Sequence, residues 1–153
     1  KDGAVRRMLR GNALATVDDE GRLKLPSAFR AAIEPKYGRD FFVTSLRGES
    51  VRVYPMQVWV RIEERVAQTS SLSPPVMRFK NSVNFYGQAA SMDSQGRILI
   101  HSLLREKAGI QGEVAVLGLQ DFLEVWNRAS FEQRLERNPL TDEDLAILAE
   151  SGI

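Results

Sequence analysis

ATVDDEGRLKLPSAFRAAI, residues 15–33, recurs in altered form as ASMDSQGRILIHSLLREKA, residues 90–108, at an ungapped offset of 75. Six of the nineteen positions are identical, where random pairing at ordinary composition gives about one. The matches include Asp18/Asp93, Gly21/Gly96, Arg22/Arg97, Ser27/Ser102 and Arg30/Arg105. The stretches that follow agree too: FFVTSLRGESVRVYP (41–55) and VAVLGLQDFLEVWN (114–127) each read as two short strands around a tight polar turn. Tyr54 and Trp126 stand near the end of the second strand in each. The chain is a tandem duplication.

Local chemistry reads the same way in both units. Asp18-Asp19-Glu20-Gly21 and Asp93-Ser94-Gln95-Gly96 fit a type I turn followed by a left-handed glycine, the three-residue hairpin connection. Ala13–Val17 and Leu23–Leu25 flank the first turn as strands. Pro26-Ser27 and His101-Ser102 then open short helices with Ser as N-cap, the first stopping near Pro35 and the second at Gly109. Pro55 starts a helix with the apolar stripe Met56, Trp59, Ile62 and Val66, TSSLSPP (69–75) is a linker, and Val76, Phe79 and Val83 share one face of the next helix. A helix over Ala129–Arg137 ends at Pro139, and Thr141-Asp142-Glu143-Asp144 begins an acidic amphipathic segment. The pattern predicts a mainly β chain with added helices, an α+β class. Its expected divisions are a first unit over 8–68, a linker and connecting helix over 69–86, a second unit over 87–138 and a tail over 139–153.

The 153 residues are 43% hydrophobic and 27% charged, the composition of a globular domain able to form a core. No stretch approaches the ~18 apolar residues of a membrane span, and KDGAVRRMLRG lacks the apolar run of a signal peptide, so a cytoplasmic protein with no membrane partner is expected. The absence of cysteine excludes disulfides, thiolate zinc sites and cysteine nucleophiles, and His101 is the one histidine. Gly48 and Gly112 read as turns, with no phosphate loop ending in Lys-Ser/Thr. Adjacent Asp18, Asp19 and Glu20 cannot all converge on one cation, and Trp59 and Trp126 read as core or interface anchors. The expectation is a chain that is not an enzyme, with no catalytic residue, metal or cofactor.

The net charge of +1 hides an asymmetry: residues 1–80 carry 15 Lys/Arg against 9 Asp/Glu, and residues 81–153 carry 6 against 11. Sixteen of the 21 basic residues are Arg, whose planar fork suits phosphates and guanine edges, although a GC-rich coding sequence gives the same bias. The residues alone leave two readings of Arg22: a hairpin-tip guanidinium reaching toward guanine or phosphate, or a solvated turn arginine paired with Asp18. Arg97 has the same two readings with Asp93. Arg30 either clamps phosphate from the start of its helix or pairs with a neighbour. Arg10 and Lys24 are phosphate contacts or solvated surface. Since Arg22 has Arg10, Lys24 and Arg30 near it in sequence, it is expected to contribute more to DNA binding than Arg97.

The duplicated Asp-x-x-Gly-Arg hairpin, with MLRGNALATVDDEGRLKLPSAFR around its first copy, resembles the MraZ family of bacterial transcriptional regulators, whose repeats are similar to the AbrB DNA-binding fold. The resemblance runs from about Met8 to Arg137. It implies two tandem swapped-hairpin AbrB-like β-barrel units and a closed homo-oligomeric ring, with an octamer as the expected count. It also implies binding to double-stranded DNA carrying short direct repeats upstream of a division and cell-wall gene cluster, hence a place at the nucleoid. Carried over residue by residue, it marks Arg22, Arg97, Arg30 and Arg105 as DNA-binding, with Gly21, Lys24 and Arg10 beside them. Glu20 stands where many relatives place Lys, and His101 where the first unit has Pro26. The competing readings are an AbrB-like antitoxin or protein-binding module, and a small cytoplasmic enzyme or accessory subunit. Two full units exceed what one antitoxin hairpin needs, and no nucleophile or phosphate loop supports the enzyme.

Overall fold

The computed structural model describes residues 8–153; residues 1–7, which precede the resemblance, lie outside the described residues. The first unit contains β1 (Asn12–Thr16), β2 (Arg22–Lys24), α1 (Ser27–Tyr37), β3 (Asp40–Thr44), β4 (Val51–Pro55) and α2 (Met56–Ala67). Helix α3 (Pro74–Phe85) leads into β5 (Gln88–Ser91), β6 (Arg97–Leu99), α4 (Ser102–Ala108), β7 (Glu113–Gly118), β8 (Leu123–Asn127) and α5 (Arg128–Arg137), and α6 (Asp142–Ala149) follows. This is an α+β fold.

The strand order shows what the duplication does. Six strands form one antiparallel sheet, β1-β7-β8-β4-β3-β5, and β2 pairs with β6 in a separate two-stranded ribbon. Each hairpin parts just beyond its turn: Val17 and Leu23 share one isolated bridge, after which β1 runs to β7 of the other unit and β2 to β6. Strand β5 likewise pairs with β3 of the first unit. The two units therefore exchange strands, and the sheet order reads the same from either end when equivalent strands are matched.

Burial explains the exchange. A three-residue strand such as β2 has one inward side chain, and that residue, Leu23, lies opposite Ile98, with both fully buried. Each contributes about 1.5–3 kcal/mol by leaving water. The equivalent pairs Leu25/Ile100, Phe29/Leu104 and Ile33/Ala108 join the same core, together with Phe41, Val43, Val51 and Val53 from one unit and Val114, Val116, Leu123 and Val125 from the other. A smaller cluster gathers Tyr54, Val58, Trp59 and Val83, with Phe42 stacked on Trp59 at 4.7 Å. Thr44, also buried, donates its hydroxyl to the Val83 carbonyl at 2.6 Å.

Two local expectations need correction. Ser27 and Ser102 are the first helical residues and not the caps; Pro26 and His101 occupy the cap positions, without a side-chain cap bond. Helix α1 also passes Pro35, which has no amide to donate, and ends where Gly38, at φ 81°, donates to the Glu34 carbonyl at 2.9 Å. Gly109 caps α4 in the left-handed region, as its position in the sequence requires. Thr141 and Asp144 close a capping box at α6. Among the described residues no helix is long and apolar enough to cross a membrane.

Candidate nucleic-acid interface

At each hairpin one aspartate organises the turn. The Asp18 carboxylate accepts from the amides of Glu20 and Arg22 at 3.0 and 2.9 Å through Oδ1, and from Arg22 Nε at 3.2 Å through Oδ2. Asp93 repeats the pattern with the amides of Gln95 and Arg97, both at 2.9 Å, and Arg97 Nε at 3.0 Å. Gly21 and Gly96 donate back to the Asp18 and Asp93 carbonyls at 2.9 and 3.0 Å, at φ 87° and 79°. The Asp-x-x-Gly-Arg spacing is thus the spacing at which one carboxylate reaches three donors. The Arg22 amide, foremost, holds the Asp18 carboxyl below its ordinary range against a smaller opposing effect of desolvation. The Arg97 amide does the same for Asp93.

Beyond the turns, the β2/β6 ribbon points its side chains to two sides. Leu23 and Ile98 face the core. Alternation puts Arg22, Lys24, Arg97 and Leu99 on the opposite, outward side, with Lys24 directly across from Arg97 and Arg22 directly across from Leu99. Three of the expected DNA-binding residues are therefore brought onto one face.

The exchange redistributes the others. Arg30 crosses to the second unit's turn, where Nη2 donates to the Ser94 carbonyl at 3.1 Å and the guanidinium lies against Gly96. Its Nε is paired with Glu34 at 3.0 Å. Arg105 crosses to the first unit's turn and lies against Gly21, while its Nε donates to the Ile100 carbonyl at 2.7 Å. Both helix arginines thus support the hairpin of the opposite unit. Arg10 is not brought to the ribbon: its backbone abuts Gly118 at the far end of β1, with roughly 25 Å of extended chain between it and Asp18. His101 sits half-buried with Nε2 2.7 Å from the Tyr86 carbonyl, and Trp59 and Trp126 are buried.

The two turn arginines have different surroundings in space from those they have in sequence. Lys24 and Arg30, neighbours of Arg22 in sequence, accompany the Arg97 hairpin in space. Arg22 instead carries a second ion pair, Nη2 to Glu20 at 3.1 Å. The residues that sequence reasoning missed are Glu20 as a partner of Arg22 and Leu99 as part of the outward face. For Leu99 the signal was present, since residues two apart on a strand, as Arg97 and Leu99 are, share a face.

The chain matches the family described as "MraZ protein, putative antitoxin-like" over residues 8–81 and 87–147, so each matched segment contains one complete turn. It belongs to the MraZ family. A relative from Acidobacterium capsulatum is 45% identical over 146 residues, 95% of this chain and all of the relative. Others from Koribacter versatilis and Nitrosomonas europaea are 44% and 32% identical, covering 95% and 84% of this chain and 100% and 87% of their own lengths. All three carry the name "Transcriptional regulator MraZ". For a MraZ chain, the strand exchange makes the outward ribbon face a joint product of both repeats.

Proposed function

We propose that this chain is a DNA-binding transcription regulator that reads short direct repeats with the outward face of the β2/β6 ribbon. Its relatives are named as transcriptional regulators, and the observation that carries the reading is the face itself. Arg22, Lys24 and Arg97 project from one side of a two-stranded ribbon whose other side is anchored in the core. A major groove admits a β-ribbon of this kind. Asp93 engages Arg97 through Nε, and the Nη atoms of that fork carry the donors suited to a guanine edge or a phosphate. Lys24 supplies a phosphate contact beside it, and Arg30, Arg105 and Gly21 shape the turns that place both arginines.

In this reading, repeated sites upstream of a division and cell-wall gene cluster are engaged by a closed ring of eight chains at the nucleoid. Unequal faces arranged head to tail close into rings, and exposed Leu135, Leu145 and Ile147 on α5 and α6 offer apolar surface for such contacts. The test is fluorescence anisotropy on direct-repeat duplexes across a salt series, with native mass measured alongside. Affinity should fall steeply with salt, and Lys24→Ala should reduce the slope by about one while weakening all sequences alike. Salt-independent binding, or none at low salt, contradicts the proposal.

A further inference from the structure

The ribbon has a local two-fold relation, because Leu23 and Ile98, equivalent in the duplication, are register partners. Rotation about that axis exchanges Arg22 with Arg97. It does not preserve the remaining pair, since Lys24 is exchanged with Leu99. One end of the outward face is therefore doubly cationic, Arg97 with Lys24, and the other joins Arg22 to an apolar side chain. An exposed leucine is ordinary on a protein surface; Leu99 is distinguished by its place. It is 50% exposed between Ile98 and Ile100, both fully buried, so the core takes its neighbours and leaves it on the cationic face.

We propose that Leu99 is a specificity-determining residue that packs on the 5-methyl group of thymine, and that it thereby fixes the direction in which the ribbon lies along its site. This rests on the DNA reading above and extends it. Among the base edges of the major groove, thymine alone presents an apolar group, its methyl. A ribbon with identical ends would accept a site in either direction. With Leu99 at one end and Lys24 at the other, thymine is favoured on one side and phosphate or guanine on the other, which suits repeats that all point the same way. Burying one methyl group is worth about 0.8 kcal/mol, or about fourfold in affinity per contact.

The experiment uses the full chain and a duplex enriched by the protein from a random pool, with each thymine replaced in turn by deoxyuracil, which lacks only the methyl. The parent should lose about fourfold at one thymine per repeat, and Leu99→Ala should bind the thymine and uracil duplexes equally. Leu99→Lys, which gives both ends the same pair, should also lose the discrimination. Parent affinity unaffected by uracil at every position overturns the inference, as does discrimination that persists in Leu99→Ala. A change of native mass in Leu99→Ala overturns it too, by assigning the side chain to a contact between chains. In all these cases the DNA reading stands if Arg97→Ala still weakens binding. A pool that yields no preferred duplex overturns both.

Discussion

At the first hairpin the Arg22 guanidinium is shared between Asp18 and Glu20, at 3.2 and 3.1 Å; at the second, among the described residues, Arg97 is paired with Asp93 alone, at 3.0 Å, because Gln95 stands in place of Glu20. The surroundings differ in the same sense. Arg97 faces Lys24 across the ribbon and has Arg30 against its turn, whereas Arg22 faces Leu99 and has Arg105 against its turn. Identical motifs have thus become unequal sites. The first hairpin engages its arginine through both Nε and Nη2, and the second through Nε. The strand exchange sets one helix arginine against each turn, and what it leaves unequal is the residue across the ribbon, Lys24 for Arg97 and Leu99 for Arg22.

Four outcomes would break or sharpen that contrast. The largest concerns the shared base of the ribbon: Leu23→Ala and Ile98→Ala should each cost about 2–5 kcal/mol of stability in denaturant titrations. The two costs should be similar because the side chains pack on each other. A large cost at one position only would mean that the ribbon belongs mainly to one unit. Next, alanine at Gly21 or Gly96 requires a left-handed backbone, for about 1–3 kcal/mol each. Gly21→Ala should lose more in thermal melts, since its new Cβ would lie 2.5 Å from Arg105 Nε, against 3.0 Å to Arg30 Nη1 for Gly96→Ala.

A smaller effect is expected from Glu20→Gln, which copies the second hairpin into the first. It should release Arg22 and tighten DNA binding a few-fold, chiefly at low salt. The matching exchange Gln95→Glu should weaken it. The smallest effect is an acid response. Asp18 and Asp93 have carboxyls held below the ordinary value of 3.8 in the fold, so their contribution is complete above that value and lost as pH falls through the lower, folded one. The amides of Glu20 and Arg22, and of Gln95 and Arg97, should shift together in that acid window in an NMR titration, and Asp18→Asn should abolish the first pair's response alone.

The turns were legible in the sequence because their causes are local: an aspartate that caps three donors and a glycine at positive φ lie within five residues of each other. The stripe of Trp59 and the glycine stop at Gly109 were legible for the same reason. Strand pairing was not, since β1 meets β7 a hundred residues away and nothing in ALAT or RLK names its partner. Proximity in sequence likewise did not show that Lys24 lies across from Arg97 or that Arg30 reaches the second turn. Leu99 was hidden within an apolar run, ILI, that reads as core until alternation is applied to it. Ser27 and Ser102 looked like caps because Ser so often is one; the extended backbone of Pro26 and His101 took that position instead.

The contrast between the hairpins is tested most directly by measuring the DNA affinity of Arg97→Ala and Arg22→Ala side by side. Both are compared on one direct-repeat duplex at one salt concentration, with melting temperature and native mass checked for each. Arg97→Ala should lose about 1–3 kcal/mol per contacted site and relax sequence preference, and Arg22→Ala should lose clearly less. Equal affinity of both variants and the parent would contradict the ribbon face as the DNA contact, and a larger loss for Arg22→Ala would contradict the ordering that the strand exchange imposes.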